Sequence, residues 1–141
     1  MAILVSANFA GGAPKKVKFD FGQKGVHDQE GRVVTCVFRD FFLVATYVPN
    51  SGNYDLARLP YRVNEWDRDF FKYLKHELEV GYGKPVILCG DMNVAHEAID
   101  IYDKTRTMYS GFTPEERKSF KTFLAESGFI DIWRRQNPDK V

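Results

Sequence analysis

The sequence predicts an α/β protein in which helices pack against a mostly antiparallel or mixed β-sheet. Three stretches lead to this class: two adjoining β-branched and aromatic runs at residues 33–48, an amphipathic helical pattern at 60–80, and a short apolar run at 86–89. Strands followed by helices in this order are typical of a sheet covered by helices. With 141 residues, the chain is predicted to form a single partial domain over residues 1–141, unfinished at both ends.

The strand predictions rest on residue type and on alternation. Residues 16–21 alternate Lys, Val, Lys, Phe, Asp and Phe, which is the period of two expected of a half-exposed strand. Residues 33–38 and 41–48 are joined by only two residues, and this spacing predicts an antiparallel hairpin. Residues 2–5 have the composition of a buried strand, so a strand is expected there too.

Two helices are predicted around the last strand. Over residues 60–80, apolar side chains such as Trp66 and Phe70 recur at steps of three and four, which predicts one amphipathic helix with these residues in the core. Residues 113–116, TPEE, offer Thr as N-cap, Pro in the first turn and Glu at the third position as a capping box. Gly128 is expected to end this second helix.

The stretch at residues 85–96, PVILCGDMNVAH, is the one around which the rest of the chain is organised. Its apolar run predicts a strand buried on both faces that ends at Gly90. Asp91 and Asn93 follow, and if the backbone stays extended for one more step their side chains leave on the same side. An acid and an amide placed in this way can orient a water molecule and a phosphate oxygen. Asp and Asn after Gly are also common turn residues. The interpretation as a turn and the interpretation as a catalytic pair therefore both stay open at this point.

The composition argues against a disordered, a membrane-spanning and a secreted protein, but it does not identify one function. Hydrophobic residues make up 44% of the chain, which is enough for a folded core. Twenty Lys and Arg against 19 Asp and Glu leave no basic excess of the kind that indicates nucleic-acid binding. No run approaches the roughly 20 apolar residues of a membrane span, and the first residues are not expected to act as a signal peptide. Cys36 and Cys89 lie in apolar runs, so we expect buried thiols, no disulfide and an intracellular protein.

Several motifs together resemble one enzyme family. They are ATYVPNSG at residues 45–52, LCGDMNVAH at 88–96 and GFTPEER at 111–117, with HDQEGR at 27–32 and LPYRVNEWD at 59–67 in the same order. In this respect the chain is similar to the exonuclease III family of apurinic/apyrimidinic (AP) endonucleases, over nearly its whole length. The resemblance implies the central part of a two-sheet β-sandwich flanked by helices, the endonuclease/exonuclease/phosphatase fold.

The resemblance also implies roles for four residues. Asp91 would position and deprotonate the water that attacks the phosphate 5′ to an abasic site, and Asn93 would orient that water or the phosphate. Tyr47 and Asn50 would hydrogen-bond the scissile phosphate. The implied cofactor is Mg²⁺, with Mn²⁺ as an alternative, held by Asp91 and Asn93 together with a carboxylate outside this chain. The implied partner is double-stranded DNA with abasic sites, and 3′-exonuclease or 3′-phosphodiesterase activity is implied as an accompaniment.

Each of these residues also has a purely structural interpretation. Tyr47 can be an aromatic at the end of a core strand, and Asn50 after Pro49 can be a turn residue. His96 is expected to be a structural hydrogen-bonding residue of the loop after the strand, since no second His or Cys stands at the spacing of a metal site.

The family pattern extends beyond both ends of this sequence, and this affects the expected activity. The segments that carry a metal-binding Glu and a catalytic His in the family have no counterpart here, so the chain alone is expected to be weakly active or inactive. Apolar sheet surfaces left open favour self-association. The alternatives are a non-catalytic fragment or DNA-binding remnant, or a superfamily phosphodiesterase or phosphatase with another substrate, such as phosphoinositides or sphingolipids. The expected location is the nucleus of a eukaryote or the cytoplasm of a bacterium.

Overall fold

The computed structural model describes residues 1–21 and 26–140 of the chain. These residues form two units, one within Met1–Pro49 and Lys72–Met92, and the other within Asn50–Phe71 and Asn93–Val141. The first unit contains the β-sheet, and the second contains the two helices that follow it in sequence.

In the first unit, the described residues form one mixed sheet of four strands. The strands are β1 (Lys16–Phe19), β2 (Val33–Val37), β3 (Phe42–Tyr47) and β4 (Val86–Asp91), and they are ordered β1-β2-β3-β4. The first three are antiparallel neighbours, whereas β3 and β4 are parallel. The structure therefore confirms the predicted hairpin and the mixed sheet.

Two strand predictions were wrong. Residues 2–5 form no strand, and Leu4 is 95% exposed, because no described strand pairs with them. The strand at 86–89 does not end at Gly90 but runs to Asp91, and its side chains are half-buried or exposed rather than buried on both faces. The reason is that β4 is an edge strand, with β3 as its neighbour in the described sheet. Cys89 on β4 is consequently exposed, whereas Cys36 on β2 is buried as predicted, and both thiols are free.

The pairing of β3 with β4 depends on a glycine. Gly90 lies opposite Thr46 and has a φ of 132°, a conformation that residues with a side chain rarely adopt. A Cβ atom at position 90 would overlap the carbonyl oxygen of Thr46, well inside van der Waals contact. The two backbones approach this closely only because residue 90 has no side chain.

The helical segment Tyr73–Val80 packs on this sheet through Tyr73. Its side chain is 1% exposed, and its hydroxyl group shares a 2.9 Å hydrogen bond with the hydroxyl group of Thr35 on β2. The ring centroid of Tyr73 lies 5.9 Å from that of Phe21. Burial raises the pKa of Tyr73 to about 12, and the hydrogen bond from Thr35 opposes part of that rise. The prediction that the long helix packs on the sheet is confirmed for this segment.

The residues that precede Tyr73 in the sequence are also helical. Helical elements follow one another without a break, and they are α1 (Leu59–Tyr61), a stretch of wider π turns (Arg62–Asp67) and α2 (Arg68–Lys72). Residues 60–80 are thus helical over the whole predicted range. The helix departs from a regular α-helix in its π turns, which are uncommon and which the period of the apolar residues did not indicate.

The second predicted helix, α3 (Pro114–Ser127), begins and ends as its sequence indicates. The hydroxyl oxygen of Thr113 accepts from the backbone N–H of Glu116 at 3.2 Å, and the Glu116 carboxylate accepts from the backbone N–H of Thr113 at 3.1 Å. Gly128 ends the helix in the left-handed conformation. A short helix that was not predicted, α4 (Ile132–Gln136), follows with Asp131 as its N-cap.

Aromatic residues form the core of the second unit. Trp66 and Phe70 are completely buried, as predicted, and the rings of Phe71 and Phe123 stack with centroids 4.0 Å apart. The hydroxyl group of Ser119 on α3 donates to the carboxylate of Asp67 at 2.7 Å. Within residues 1–21 and 26–140, no helix has both the length and the apolar character that crossing a lipid bilayer requires.

We predict that Gly90→Ala destabilises the chain more than Gly83→Ala does. Both glycines have positive φ, so both alanines carry the cost of a left-handed backbone, about 1–2 kcal/mol. Only the methyl group at position 90 meets backbone atoms, whereas a Cβ at position 83 has nothing within 4 Å. Urea unfolding followed by circular dichroism should give an additional loss of about 2 kcal/mol or more for Gly90→Ala. Equal losses would contradict the close approach of β3 and β4.

We predict a pH-dependent contribution of Tyr73 to stability. Because its pKa is raised from 10.0 to about 12 in the folded chain, this contribution is fully present below pH 10 and is lost as the pH rises from 10 to 12. The difference in free energy of unfolding between the unaltered chain and Tyr73→Phe should therefore shift by about 1.4 kcal/mol between pH 8 and pH 11, in favour of Phe. Parallel pH profiles for the two proteins would contradict a buried, protonated Tyr73.

Candidate functional site

In the first unit, two of the predicted site residues end neighbouring parallel strands. Tyr47 is the last residue of β3 and Asp91 the last residue of β4, and they are partners in the β3–β4 register. The carbonyl group of Asp91 accepts from the backbone N–H of Val48 at 2.9 Å, so the pairing holds to the very end of both strands. Tyr47 is 44% exposed, and Asp91 is exposed as well. The exposure of Tyr47 argues against its interpretation as a core aromatic.

Arg32 fixes Tyr47 from two directions. Its guanidinium group donates to the carbonyl oxygen of Tyr47 at 3.1 Å and lies 4.9 Å from the centroid of the Tyr47 ring. The same guanidinium group forms a 2.7 Å ion pair with the carboxylate of Glu30. The backbone N–H of Tyr47 in turn donates to the carbonyl oxygen of Arg32 at 2.9 Å. A cation held over the ring and bonded to the main chain limits the positions that the Tyr47 side chain can take.

In the second unit, the two predicted asparagines lie together. The side-chain amide nitrogen of Asn50 donates to the side-chain oxygen of Asn93 at 3.4 Å. Asn93 has a φ of 47°, so the extended backbone that would place the side chains of Asp91 and Asn93 on the same side does not continue through Asn93. Asn adopts this left-handed conformation more readily than most residues. Two residues further on, the N–H of Ala95 donates to the carbonyl oxygen of Gly111 at 2.7 Å, which fixes the Asn93 loop.

The amide oxygen of Asn50 is held by two donors. The hydroxyl group of Ser110 and the backbone N–H of Gly52 both donate to it, each at 2.9 Å. The oxygen of the Ser110 hydroxyl group accepts from the backbone N–H of Ser51, also at 2.9 Å. Ser110 therefore connects the loop after residue 93 with the loop that carries Asn50.

A buried carboxylate lies behind these loops. Glu116 is completely buried and accepts from the hydroxyl group of Ser51 at 2.5 Å, from the N–H of Gly111 at 2.8 Å, and from the hydroxyl group of Thr113 at 2.7 Å. Burial lowers the pKa of Arg62 to about 10, and the charge of Glu116 opposes that fall, so the guanidinium group stays charged at neutral pH. A buried charge with several donors and a nearby opposite charge meets the conditions under which burial of a carboxylate is tolerated.

Within each unit, the predicted residues offer groups suited to proton transfer or to hydrogen bonding. Asp91 offers a carboxylate that can accept a proton, Tyr47 offers a phenolic O–H donor, and Asn50 offers an amide N–H donor. Among the described residues, no group of three or more His, Cys, Asp or Glu side chains gathers in a way that could hold a metal ion. Asp91 offers a carboxylate oxygen, the kind of ligand that Mg²⁺ takes in proteins together with waters and substrate oxygens.

The remaining candidate, His96, has structural contacts. Its carbonyl oxygen accepts from the guanidinium group of Arg117 at 2.8 Å, and its ring meets the ring of Phe120 edge-on with centroids 5.3 Å apart. The hydrogen bond is made by the backbone of His96 and its ring contributes packing, so a hydrogen-bonding role of the side chain stays a prediction.

Sequence analysis missed three residues that support the predicted ones. Arg32 and Glu116 lie within the motifs at 27–32 and 111–117, but nothing local indicates that Arg32 contacts Tyr47 or that Glu116 contacts Ser51. Ser110 carried no signal at all, because its partner Asn50 is 60 residues away in the sequence.

Similar proteins of known activity exist, although no protein-family model matches the chain. The chain is 47% identical over 128 residues to a DNA-(apurinic or apyrimidinic site) endonuclease from Dictyostelium discoideum, an alignment that covers 90% of the chain and 34% of that protein. It is 42% identical over 135 residues to an exodeoxyribonuclease from Bacillus subtilis, covering 95% of the chain and 51% of that protein. The chain thus spans about a third to a half of the length of these relatives.

A solved structure agrees with the sequence relatives. The AP endonuclease LMAP from Leishmania major matches with a TM-score of 0.78 and 34% identity, over 89% of this chain and 44% of that protein. The resemblance deduced from the motifs is therefore confirmed, and so is the predicted fold class.

We predict that the stability of the second unit depends on the carboxylate of Glu116. Glu116→Ala removes the acceptor of several buried donors and should lower the free energy of unfolding by about 3–5 kcal/mol, as the loss of one partner in a buried charged network does. Glu116→Gln keeps one acceptor oxygen and should lose about 1–3 kcal/mol. Urea unfolding measures both values. The matched control is Glu115→Ala, an exposed neighbour on the same turn, which should change stability by about 0.5 kcal/mol or less. A loss for Glu116→Ala no larger than that of the control would contradict the network.

Proposed function

We infer, from the premise that this chain belongs to the exonuclease III family of AP endonucleases, that it carries part of the catalytic apparatus of a DNA-repair nuclease. The proposed reaction is hydrolysis of the phosphodiester bond 5′ to an abasic site in double-stranded DNA. The chain covers 34% of the Dictyostelium relative and 51% of the Bacillus relative, so the activity is proposed for a protein of their length, and the chain alone is expected to be weakly active or inactive.

One observation carries the proposal furthest. Tyr47 and Asp91 are register partners at the carboxyl ends of β3 and β4, and both are exposed. The carboxyl ends of parallel strands are where α/β proteins commonly bind ligands. A proton acceptor and a phenolic donor side by side at such an edge support a reaction in which a nucleophile loses a proton and an oxyanion gains a hydrogen bond.

Asp91 is proposed to be the general base. Its carboxylate takes a proton from a water molecule while the water oxygen forms a bond to phosphorus and the bond from phosphorus to the 3′ oxygen breaks. The 3′ oxygen leaves and takes up a proton from a solvent water molecule to become a hydroxyl group, and the phosphate stays on the abasic sugar. Tyr47 donates to a phosphate oxygen on which charge builds up during this exchange.

The asparagines of the second unit are proposed, from the resemblance, to bind a phosphate oxygen and the attacking water. The Asn50 amide donates to a phosphate oxygen, and Asn93 orients the water molecule or the phosphate. Both are neutral, so they bind an anion without adding a charge that must itself be desolvated.

The proposed cofactor is Mg²⁺, with Mn²⁺ as a substitute. Mg²⁺ usually binds through one or two carboxylates, waters and the oxygens of a phosphate substrate, and it would neutralise charge on the scissile phosphate. Asp91 and Asn93 are the proposed contributors from this chain. Self-association of the chain stays a prediction.

We predict that Asp91→Asn lowers incision by about 10²–10⁴-fold, because the amide cannot accept the proton of the water molecule. The assay uses a duplex oligonucleotide with one abasic-site analogue, with Mg²⁺ and with a chelator. It compares the chain as it stands with an extended protein, in which the flanking segments of the Dictyostelium relative are joined to the chain at the aligned residues.

The matched control is Asp40→Asn in the same unit. Asp40 is exposed in the loop between β2 and β3 and pairs with its neighbour Arg39 at 3.0 Å, so its loss should leave incision unchanged. If the extended protein is folded and leaves abasic DNA intact, the repair-nuclease proposal fails, and cleavage of phosphoinositides or sphingolipid phosphodiesters becomes the next activity to assay.

A further inference from the structure

The side-chain amide of Asn50 has a defined orientation. The backbone N–H of Gly52 lies 2.9 Å from one end of this amide, and a backbone N–H can only donate. The atom that faces Gly52 must therefore be the oxygen, because a rotated amide would place two donors against each other. It follows that the amino group of Asn50 lies on the opposite side, where it donates to the oxygen of Asn93.

The hydroxyl group of Ser110 stabilises the same orientation. Its oxygen lies 2.9 Å from the backbone N–H of Ser51 and 2.9 Å from the amide oxygen of Asn50. The contact with Ser51 uses a lone pair of the hydroxyl oxygen, so the hydroxyl proton can be directed at Asn50. Two donors thus hold the amide oxygen of Asn50, one from its own turn and one from a distant loop.

The residues on both sides of this contact are anchored to Glu116. Its carboxylate accepts from the hydroxyl group of Ser51, next to Asn50, and from the N–H of Gly111, next to Ser110. Glu116 is completely buried, so these anchors are shielded from water. The distance between Ser110 and Asn50 is therefore set by the fold of the second unit and does not depend on a substrate.

We propose that Ser110 is a positioning residue, which holds the Asn50 amide so that its amino group is presented to an anionic oxygen of the substrate. This inference rests on the proposed function, in which Asn50 binds the scissile phosphate. Ser110 itself does not touch the reacting atoms. Its effect is to ensure that Asn50 offers a donor and not an acceptor before the phosphate arrives, which avoids reorganisation during the reaction.

The first readout is spectroscopic and needs no DNA. In a ¹H–¹⁵N spectrum of the chain, the two side-chain N–H protons of Asn50, assigned by their loss in Asn50→Ala, should shift and should exchange faster with water in Ser110→Ala. Ser110→Thr retains the hydroxyl group and should restore the original signals. Ser119→Ala is the matched control, because it removes a serine hydroxyl group that donates to a carboxylate in the same unit without contacting Asn50.

The second readout is incision of abasic duplex DNA by the extended protein. Ser110→Ala should lower kcat by about 5- to 10-fold, the effect of one hydrogen bond, and Ser110→Thr should recover most of it. Asn50→Asp keeps the oxygen that accepts from Ser110 and Gly52 but replaces the amino group by a second oxygen. Because this oxygen cannot donate to the phosphate, Asn50→Asp should lose more activity than Ser110→Ala. In an Asn50→Ala background, Ser110→Ala should have no additional effect.

Two results would overturn the proposal. One is an Asn50 signal that is unchanged in Ser110→Ala, and the other is an equal loss of kcat for Ser110→Ala with and without Asn50. If Ser119→Ala matches Ser110→Ala in both readouts, the effect is general destabilisation and the proposal is equally wrong. Failure of the proposed function gives a different pattern, in which the unaltered extended protein does not incise DNA while the spectra still report the orientation of Asn50.

Discussion

The close approach of β3 and β4 is the constraint on which the arrangement of the first unit depends. Gly90 lies against the backbone of Thr46 without a Cβ atom between them, and one residue later the register pairs Tyr47 with Asp91. With the backbone of Gly90 in this conformation, a Cβ atom would lie against the Thr46 carbonyl group between the two strands, so the register beyond this point requires glycine here. The acid and the phenol are therefore neighbours as a consequence of backbone geometry, and Arg32 then restricts the Tyr47 side chain from outside the pair.

In the second unit, the buried carboxylate of Glu116 holds neighbouring segments together, as the close approach at Gly90 does in the first unit. Glu116 caps the first turn of α3, a local role that Thr113 and the helix would need in any protein. The same carboxylate also accepts from Ser51 and Gly111, so the start of the helix and two loops share one acceptor. Burying a carboxylate is costly unless donors surround it, and this requirement holds the donors in place. A residue that appears in sequence as a capping signal thus determines where Asn50 and Ser110 lie.

The features that could be predicted from the sequence are those that neighbouring residues determine. The hairpin of β2 and β3, the helical extent over 60–80 and the capping box of α3 each follow from alternation, period or spacing within a few residues. The burial of β4 and the absence of a strand at residues 2–5 could not be predicted, because they depend on which strands lie alongside. The left-handed backbone of Asn93 was not indicated by alternation either, and the loop that contains it is tied to Gly111 by the hydrogen bond from Ala95. Asp91, Asn93, Tyr47 and Asn50 were proposed from motifs, whereas the residues that contact them were not, since a hydrogen bond across 60 residues leaves no local pattern.

The distribution of charge around these groups explains why overall composition gave no indication of a nucleic-acid partner. The chain is nearly neutral overall, and Arg32, the cation that lies over the Tyr47 ring, is paired with Glu30. What the described groups offer instead are neutral donors, the Tyr47 phenol and the Asn50 amide. A neutral donor helps a developing anion only if it is oriented in advance, because a freely rotating amide presents its oxygen as often as its amino group. An arginine attracts an anion through its charge, whereas the neutral amide of Asn50 offers a donor only because its hydrogen bonds orient it. In a group of this kind, orientation is therefore more informative than net charge.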